Sequence, residues 1–181
     1  MVTADLHEFD DEMKIMHELM DEPQIALSDA DFEVSVQTIN LKRAVTVERN
    51  TTIRYCIDLM VARHIGCLIV VENGKLAGMF TERDVLTKIA GQKLNYDSIT
   101  VDQVMTPHPV ALRNRDSVGT AVRLMHGGGY RHVAIVDHNN EPVSVVSIRD
   151  IVAYIADFFP QDVLNLPPHP IRIGTKNREG G

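Results

Sequence analysis

The stretch Gly78-Met79-Phe80-Thr81-Glu82-Arg83-Asp84 ends an apolar run on a hydroxyl residue and sets an aspartate three positions beyond it. Ser144-Val145-Val146-Ser147-Ile148-Arg149-Asp150 repeats the arrangement later in the chain. A hydroxyl followed three residues on by an acid is one way a helix begins. The hydroxyl accepts from an orphan backbone N–H, and the acid reaches back to the N–H of the cap itself. Both stretches therefore predict a strand that turns directly into a helix. Taken alone the pattern is a capping box and nothing more. Its recurrence inside a longer duplicated unit opens a second reading.

Working outward from Thr81, Lys75 to Phe80 is a return strand, and Asn73-Gly74 supplies the positive φ angles of a tight hairpin. Before the turn, Cys67-Leu68-Ile69-Val70-Val71 is a continuous apolar strand of the kind buried on both faces. Further back, Ala44-Val45-Thr46-Val47 is a short strand. Thr51 or Thr52 then opens a helix with Ile53, Ile57, Met60 and Val61 on one face. Past Asp84 the helix runs through Val85, Leu86 and Ile89 and stops near Gly91. The second half replays this at an offset of 65: Val110-Ala111-Leu112 falls on Val45-Thr46-Val47, and Val118, Val122, Leu124 and Met125 on Ile53, Ile57, Leu59 and Met60. Val133 to Asp137 falls on Leu68 to Glu72. One extra residue in the turn His138-Asn139-Asn140 moves the offset to 66, so that Ser147 and Asp150 match Thr81 and Asp84. A duplicated strand-helix-strand-strand-helix unit of this length outweighs any single motif.

The 181 residues, 44% hydrophobic and 24% charged, are those of an ordinary globular protein. There is no apolar run of eighteen residues and no secretion signal at the N-terminus, so neither a membrane span nor export is expected. Cys56 and Cys67 both lie in apolar patterns, which predicts buried thiols and a cytoplasmic location. A net charge of −7 argues against broad binding to nucleic acid or anionic membranes and leaves room for a local basic pocket. Residues 5 to 22 predict an acidic amphipathic helix with Leu6, Phe9, Met13, Met16 and Met20 on one stripe, packed on its own module or on a second copy. Phe32, Val34 and Val36 alternate as a short strand would. The division expected is 1–39 for the N-terminal helix and short strand, 40–95 and 96–157 for the two units, and 158–181 for a Pro-rich tail. Catalytic and metal sites are not expected. The eight histidines show no metal-ligand spacing, neither cysteine has an evident base, and no Gly-rich phosphate loop with a lysine is present.

The segments HIGCLIVVENGKLAGMFTERDVL (64–86), VMTPHPVAL (104–112) and YRHVAIVDHNNEPVSVVSIRDIV (130–152) resemble a tandem pair of cystathionine β-synthase (CBS) domains, a Bateman module of the stand-alone bacterial type. The resemblance covers residues 40 to 156. It implies an α/β fold of two β-α-β-β-α units about a pseudo-twofold axis, with two clefts between the sheets. It further implies an adenosine-containing ligand (AMP, ADP, ATP, NAD or S-adenosylmethionine) and association as a homodimer.

In such a cleft Asp84 and Asp150 would accept from ribose hydroxyls. Thr81 and Ser147 would stand beside the free N–H groups of a helix start. Gly78, lacking a Cβ, would let a ring approach, with Ser144 at the matching place. Arg83 and Arg149 are cations in a first helical turn, where the dipole opposes them. Phosphate contact is one explanation, and a solvated side chain or intersubunit ion pair is the other. By resemblance Arg131 and His132 reach ligand phosphates, while Gly66 and Cys67 hold those positions in the first unit, so the second site is the one expected to take a phosphorylated ligand. Adenine would lie near Val45, Thr46, Leu68 and Ile69, or near Val110, Ala111, Val133 and Ala134. Two functions follow. One is a nucleotide sensor read by a partner protein through dimer geometry. The other is a ligand-free scaffold, in which both aspartates only cap helices.

Overall fold

The computed structural model describes residues 27–39 and 41–158. The chain enters through α1 (Asp29–Glu33), a 3₁₀ turn at Val36–Thr38, and β1 (Lys42–Arg43). The first unit is β2 (Thr46–Glu48), α2 (Ile53–Arg63), β3 (Cys67–Glu72), β4 (Lys75–Thr81) and α3 (Glu82–Asp84), which widens into a π turn over Val85–Ile89. A 3₁₀ turn at Val101–Gln103 and β5 (Thr106–Pro107) lead to the second unit: β6 (Ala111–Arg113), α4 (Val118–Gly128), β7 (His132–Val136), β8 (Pro142–Ser147) and α5 (Ile148–Ala156). This is the α/β repeat expected from the sequence.

The strands form two four-stranded sheets, β2-β3-β4-β5 and β6-β7-β8-β1. β1 pairs with β8, Lys42 opposite Val145 and Arg43 opposite Ser144. β5 pairs with β4, Gly78 opposite Pro107 and Met79 opposite Thr106. Each unit's lead-in strand thus closes the other unit's sheet. This exchange ties the halves together and puts residues of both units into each cleft.

Local chemistry accounts for the elements. Thr52 caps α2 by accepting from Tyr55 N, and Ser117 caps α4 by accepting from Thr120 N. Asn73 and Gly74 take positive φ in the first hairpin. In the second, Asp137 Oδ1 accepts from Asn139 N at 2.9 Å and Glu141 N at 2.8 Å. The apolar runs β3 and β7 bury both faces. Leu68 and Val70 meet Ile53, Cys56 and Met60 of α2 and Phe80 of β4. Val133 and Ile135 meet Val118, Ala121 and Met125 of α4. The other faces, with Cys67, Ile69, Val71, Met79 and Ala134, pack together. A fully buried Val, Leu, Ile or Phe contributes about 1.5–3 kcal/mol, so these three clusters dominate the stability.

Two local expectations are corrected. Val61, expected on the buried face of α2, is 68% exposed, and Cys56 is buried instead. At 3.6 residues per turn Val61 sits about 80° around the helix from Ile53, past the edge of the stripe. The alternation Phe32, Val34, Val36 is not a strand. Ser28 and Asp31 form a capping box that starts α1, with Asp31 Oδ2 accepting from Ser28 N and Oγ at 2.8 and 2.7 Å. The segment docks on the second unit, where Val36 is fully buried and Val118 N donates to Val34 O at 2.9 Å. Three alternating residues are too few to separate a strand from a short capped helix. The helix expected over 5–22 lies outside the described residues, as does the tail after Phe158.

Candidate functional site

The two capping boxes form as the sequence requires, at the floors of two clefts. In the first, Asp84 Oδ2 accepts from Thr81 N at 2.9 Å and Thr81 Oγ1 at 2.7 Å, while Thr81 Oγ1 caps Asp84 N. Its second oxygen is also engaged: Lys88 Nζ stands 2.7 Å from Oδ1, and Thr106 Oγ1 donates to it at 3.5 Å. Asp84 is buried. The cleft over it, about 330 Å³, is walled by Thr81, Arg83 and Asp84 from one unit and by Val110, Tyr130, Arg131 and His132 from the other.

In the second cleft Asp150 Oδ2 accepts from Ser147 N at 2.7 Å and Ser147 Oγ at 2.6 Å. Asp150 is half-buried, and among the described residues its Oδ1 has no hydrogen-bond or ion-pair partner. This cleft, about 280 Å³, is lined by Lys42, Arg43, His64, Arg131 and Arg149, with Glu82 and Asp150 as the only carboxylates among the described residues. Four permanent cations face two acids there, whereas Arg83 and Arg131 face Glu82 and Asp84 in the first cleft. The second cleft is therefore the electropositive one, in a chain whose net charge is −7. Val45, Ile65 and Val145 give it an apolar side.

Burial holds His132 below its ordinary pKa, against the opposing pull of Glu82; Arg131 adds to the lowering and Asp150 counters it. Its imidazole is thus biased to the neutral form, an acceptor as well as a donor. Cys67 lines the second cleft, but burial, aided by the Asp84 charge, pushes its thiol up to about 12. Cys56 is likewise raised by burial to about 11. Neither thiol is a nucleophile near neutral pH. Among the described residues no three His, Cys, Asp or Glu side chains gather as a metal site would need.

The predicted residues sort as follows. Thr81, Arg83, Asp84 and Val110 share the first cleft; Ser147, Arg149 and Asp150 share the second. Arg131 and His132, assigned above to the second, line both. Arg83 donates to Gly129 O at 2.9 Å, bridging to the end of α4, while Arg149 has no side-chain partner among the described residues. Gly78 lies under Met105, whose Sδ fills the space a side chain would need, so its missing Cβ serves packing between β4 and the lead-in to β5. Its counterpart Ser144 pairs with Arg43. Thr46 is exposed and lines neither cleft; Leu68, Ile69, Val133 and Ala134 are buried core. Sequence reasoning missed Lys42, Arg43, Tyr130 and Lys88. The basic pair ahead of β2 and the lysine four residues after Asp84 were visible signals; what they would face was not.

The family profile of the CBS domain matches residues 36–91 and 101–157. CBS domain-containing protein CBSCBSPB5 of Arabidopsis thaliana is 32% identical over 126 residues, 69% of this chain and 22% of that protein. The chain thus spans about a fifth of the length of the plant relatives it matches. The CBS-domain protein ATU1752 of Agrobacterium tumefaciens superposes with a TM-score of 0.59 at 27% identity, covering 66% of this chain and 97% of that one. CBS domain protein PAE2072 of Pyrobaculum aerophilum, solved in complex with AMP, superposes at 0.62 and 23% identity, covering 70% and 99%.

Proposed function

We propose that this chain, which belongs to the CBS domain family, is a regulatory module that binds an adenosine nucleotide in its second cleft and signals occupancy through a second copy or a partner protein. The observation that carries the reading is that Asp150, at the start of α5 in a cleft lined by four cations, has an Oδ1 with no partner among the described residues. Ribose hydroxyls donate to that oxygen, and phosphates meet Arg149, Lys42, Arg43 and Arg131 beside the N–H groups of the helix start. Adenine lies against Val45, Ile65 and Val145. The AMP complex of PAE2072 supports an adenosine ligand in this fold. Because the cleft is lined by Cys67 of β3 in the first sheet and by β1, β8 and α5 around the second, a bound nucleotide touches both units and biases their spacing. The exposed side chains Val61, Leu86 and Val152 offer apolar surface to a second copy, and we take the module to work as a homodimer. No catalytic step is assigned. The scaffold reading has one observation in its favour: Asp84, with both oxygens engaged, acts in the first cleft as a cap and ion-pair partner.

Mass spectrometry of denatured, freshly purified protein, followed by melting with AMP, ADP, ATP, NAD and S-adenosylmethionine, tests the sensor. A ligand at a hundred times its Kd adds about 2.7 kcal/mol, which for a chain of this size raises Tm by about 5–10 °C. Sedimentation of the same samples reads assembly. No co-purified nucleotide and no shift with any of the five establishes the scaffold instead, and a 20 kDa monomer with or without ligand removes the dimer.

A further inference from the structure

We infer that Lys88 closes the first cleft to ribose, so that the module takes one adenosine nucleotide per chain, in the second cleft. This rests on the sensor reading above and adds what sets the number and place of its sites. The two floors have the same capping box and differ in what stands one turn further on. Lys88 Nζ lies 2.7 Å from Asp84 Oδ1 and donates to Val104 O at 2.7 Å and Met105 O at 3.4 Å. An ammonium has three protons, and here they meet three acceptors. A ribose hydroxyl reaching Asp84 would have to displace a cation from a buried carboxylate and strip two backbone carbonyls of their donor.

The second unit has no such group. The residue in register with Lys88 is Tyr154, whose hydroxyl donates to Asp31 O at 2.8 Å and whose ring meets Phe158 edge-on at 5.1 Å between centroids. The backbone differs at the same place. Ala90 N donates to Val85 O, five residues back, in the π turn that contains Lys88, whereas α5 continues as a regular helix through Tyr154. Departures of this kind inside helices mark functional positions more often than chance would. The carbonyls that Lys88 holds lead into β5, the strand the second unit's lead-in lends to the first sheet. The lysine thus also pins the exchanged strand to the floor of the cleft it closes.

Calorimetric titration of the full chain with AMP and with 2′-deoxy-AMP tests this. Wild type should bind one AMP per chain, about ten- to a hundredfold more tightly than the deoxy compound. Lys88→Met should bind two, both sensitive to the 2′-hydroxyl, and Lys88→Arg, which keeps the cation, should bind one. Circular dichroism and melting establish that each variant is folded. Two AMP per wild-type chain, each sensitive to the 2′-hydroxyl, overturns the inference and leaves the sensor standing; this needs no variant, so it decides the matter even if Lys88→Met does not fold. A folded Lys88→Met that still binds one AMP overturns it as well. No binding of AMP by any of the proteins overturns the inference, and only if ADP, ATP, NAD and S-adenosylmethionine also leave Tm unmoved and no nucleotide co-purifies does the sensor fall with it.

Discussion

Asp150→Asn is the substitution in which the two readings of the capping box diverge most. In the wild type, Asp150 Oδ2 is committed to Ser147 N and Oγ at 2.7 and 2.6 Å, while Oδ1 has no partner among the described residues of a cleft that Asp150 lines. The single oxygen of Asn can take over both bonds to Ser147. That leaves its NH₂, a donor, where ribose hydroxyls need an acceptor. A hydrogen bond to a charged group contributes about 1.5–3 kcal/mol, so AMP affinity should fall about ten- to a hundredfold. The fold loses less. One first-turn carboxylate at a helix N-terminus is worth about 0.3–1 kcal/mol, a fall in Tm of about 1–4 °C. Titrating both proteins with AMP and 2′-deoxy-AMP closes a cycle. The deoxy sugar should weaken binding to the wild type and do little more to the variant, because both changes remove one contact. Additive losses would falsify the ribose assignment, and an unchanged affinity with the small loss of stability would leave Asp150 as a cap only.

The structure makes two further predictions. Gly78→Ala drives a methyl group into Met105 Sδ and should cost about 1–3 kcal/mol in urea denaturation, and much less when made in a Met105→Ala background, where the clash is gone; a midpoint equal to wild type refutes the packing role. His132 is held by burial below its usual value of 6.5, so its contribution to stability is full above that pH and is lost as pH falls through the folded-state value. Urea midpoints should therefore drop on the acid side of neutrality less steeply in His132→Gln than in wild type, and equal slopes would show that another group is responsible.

The local grammar of the chain was legible without tertiary information. The Asn73-Gly74 hairpin, the caps at Thr52, Thr81 and Ser147, and the apolar runs buried on both faces depend on residues within a few positions of one another, and the duplicated unit shows as the recurrence of those local patterns. The resemblance carried the reading from there to a paired-sheet module with two clefts. The failures were also local. Phe32, Val34 and Val36 obeyed the strand period while Ser28 and Asp31 obeyed the helix-start rule, and docking against α4 decided between them.

What the sequence determined by itself is the pair of matching floors, Thr81 with Asp84 and Ser147 with Asp150, because a capping box is closed by atoms three residues apart. Only the tertiary structure made the two unlike. Lys42 and Arg43 reach the second cleft because their strand pairs with β8, far along the chain, and no periodicity encodes that partner. Lys88 follows Asp84 by four residues in plain view, yet its hold also depends on the carbonyls of Val104 and Met105, brought beside it when β5 joins the first sheet. A side chain's reach is local, but which acceptors lie within it is set by strand exchange between the halves, and that exchange separates an engaged carboxylate from an open one.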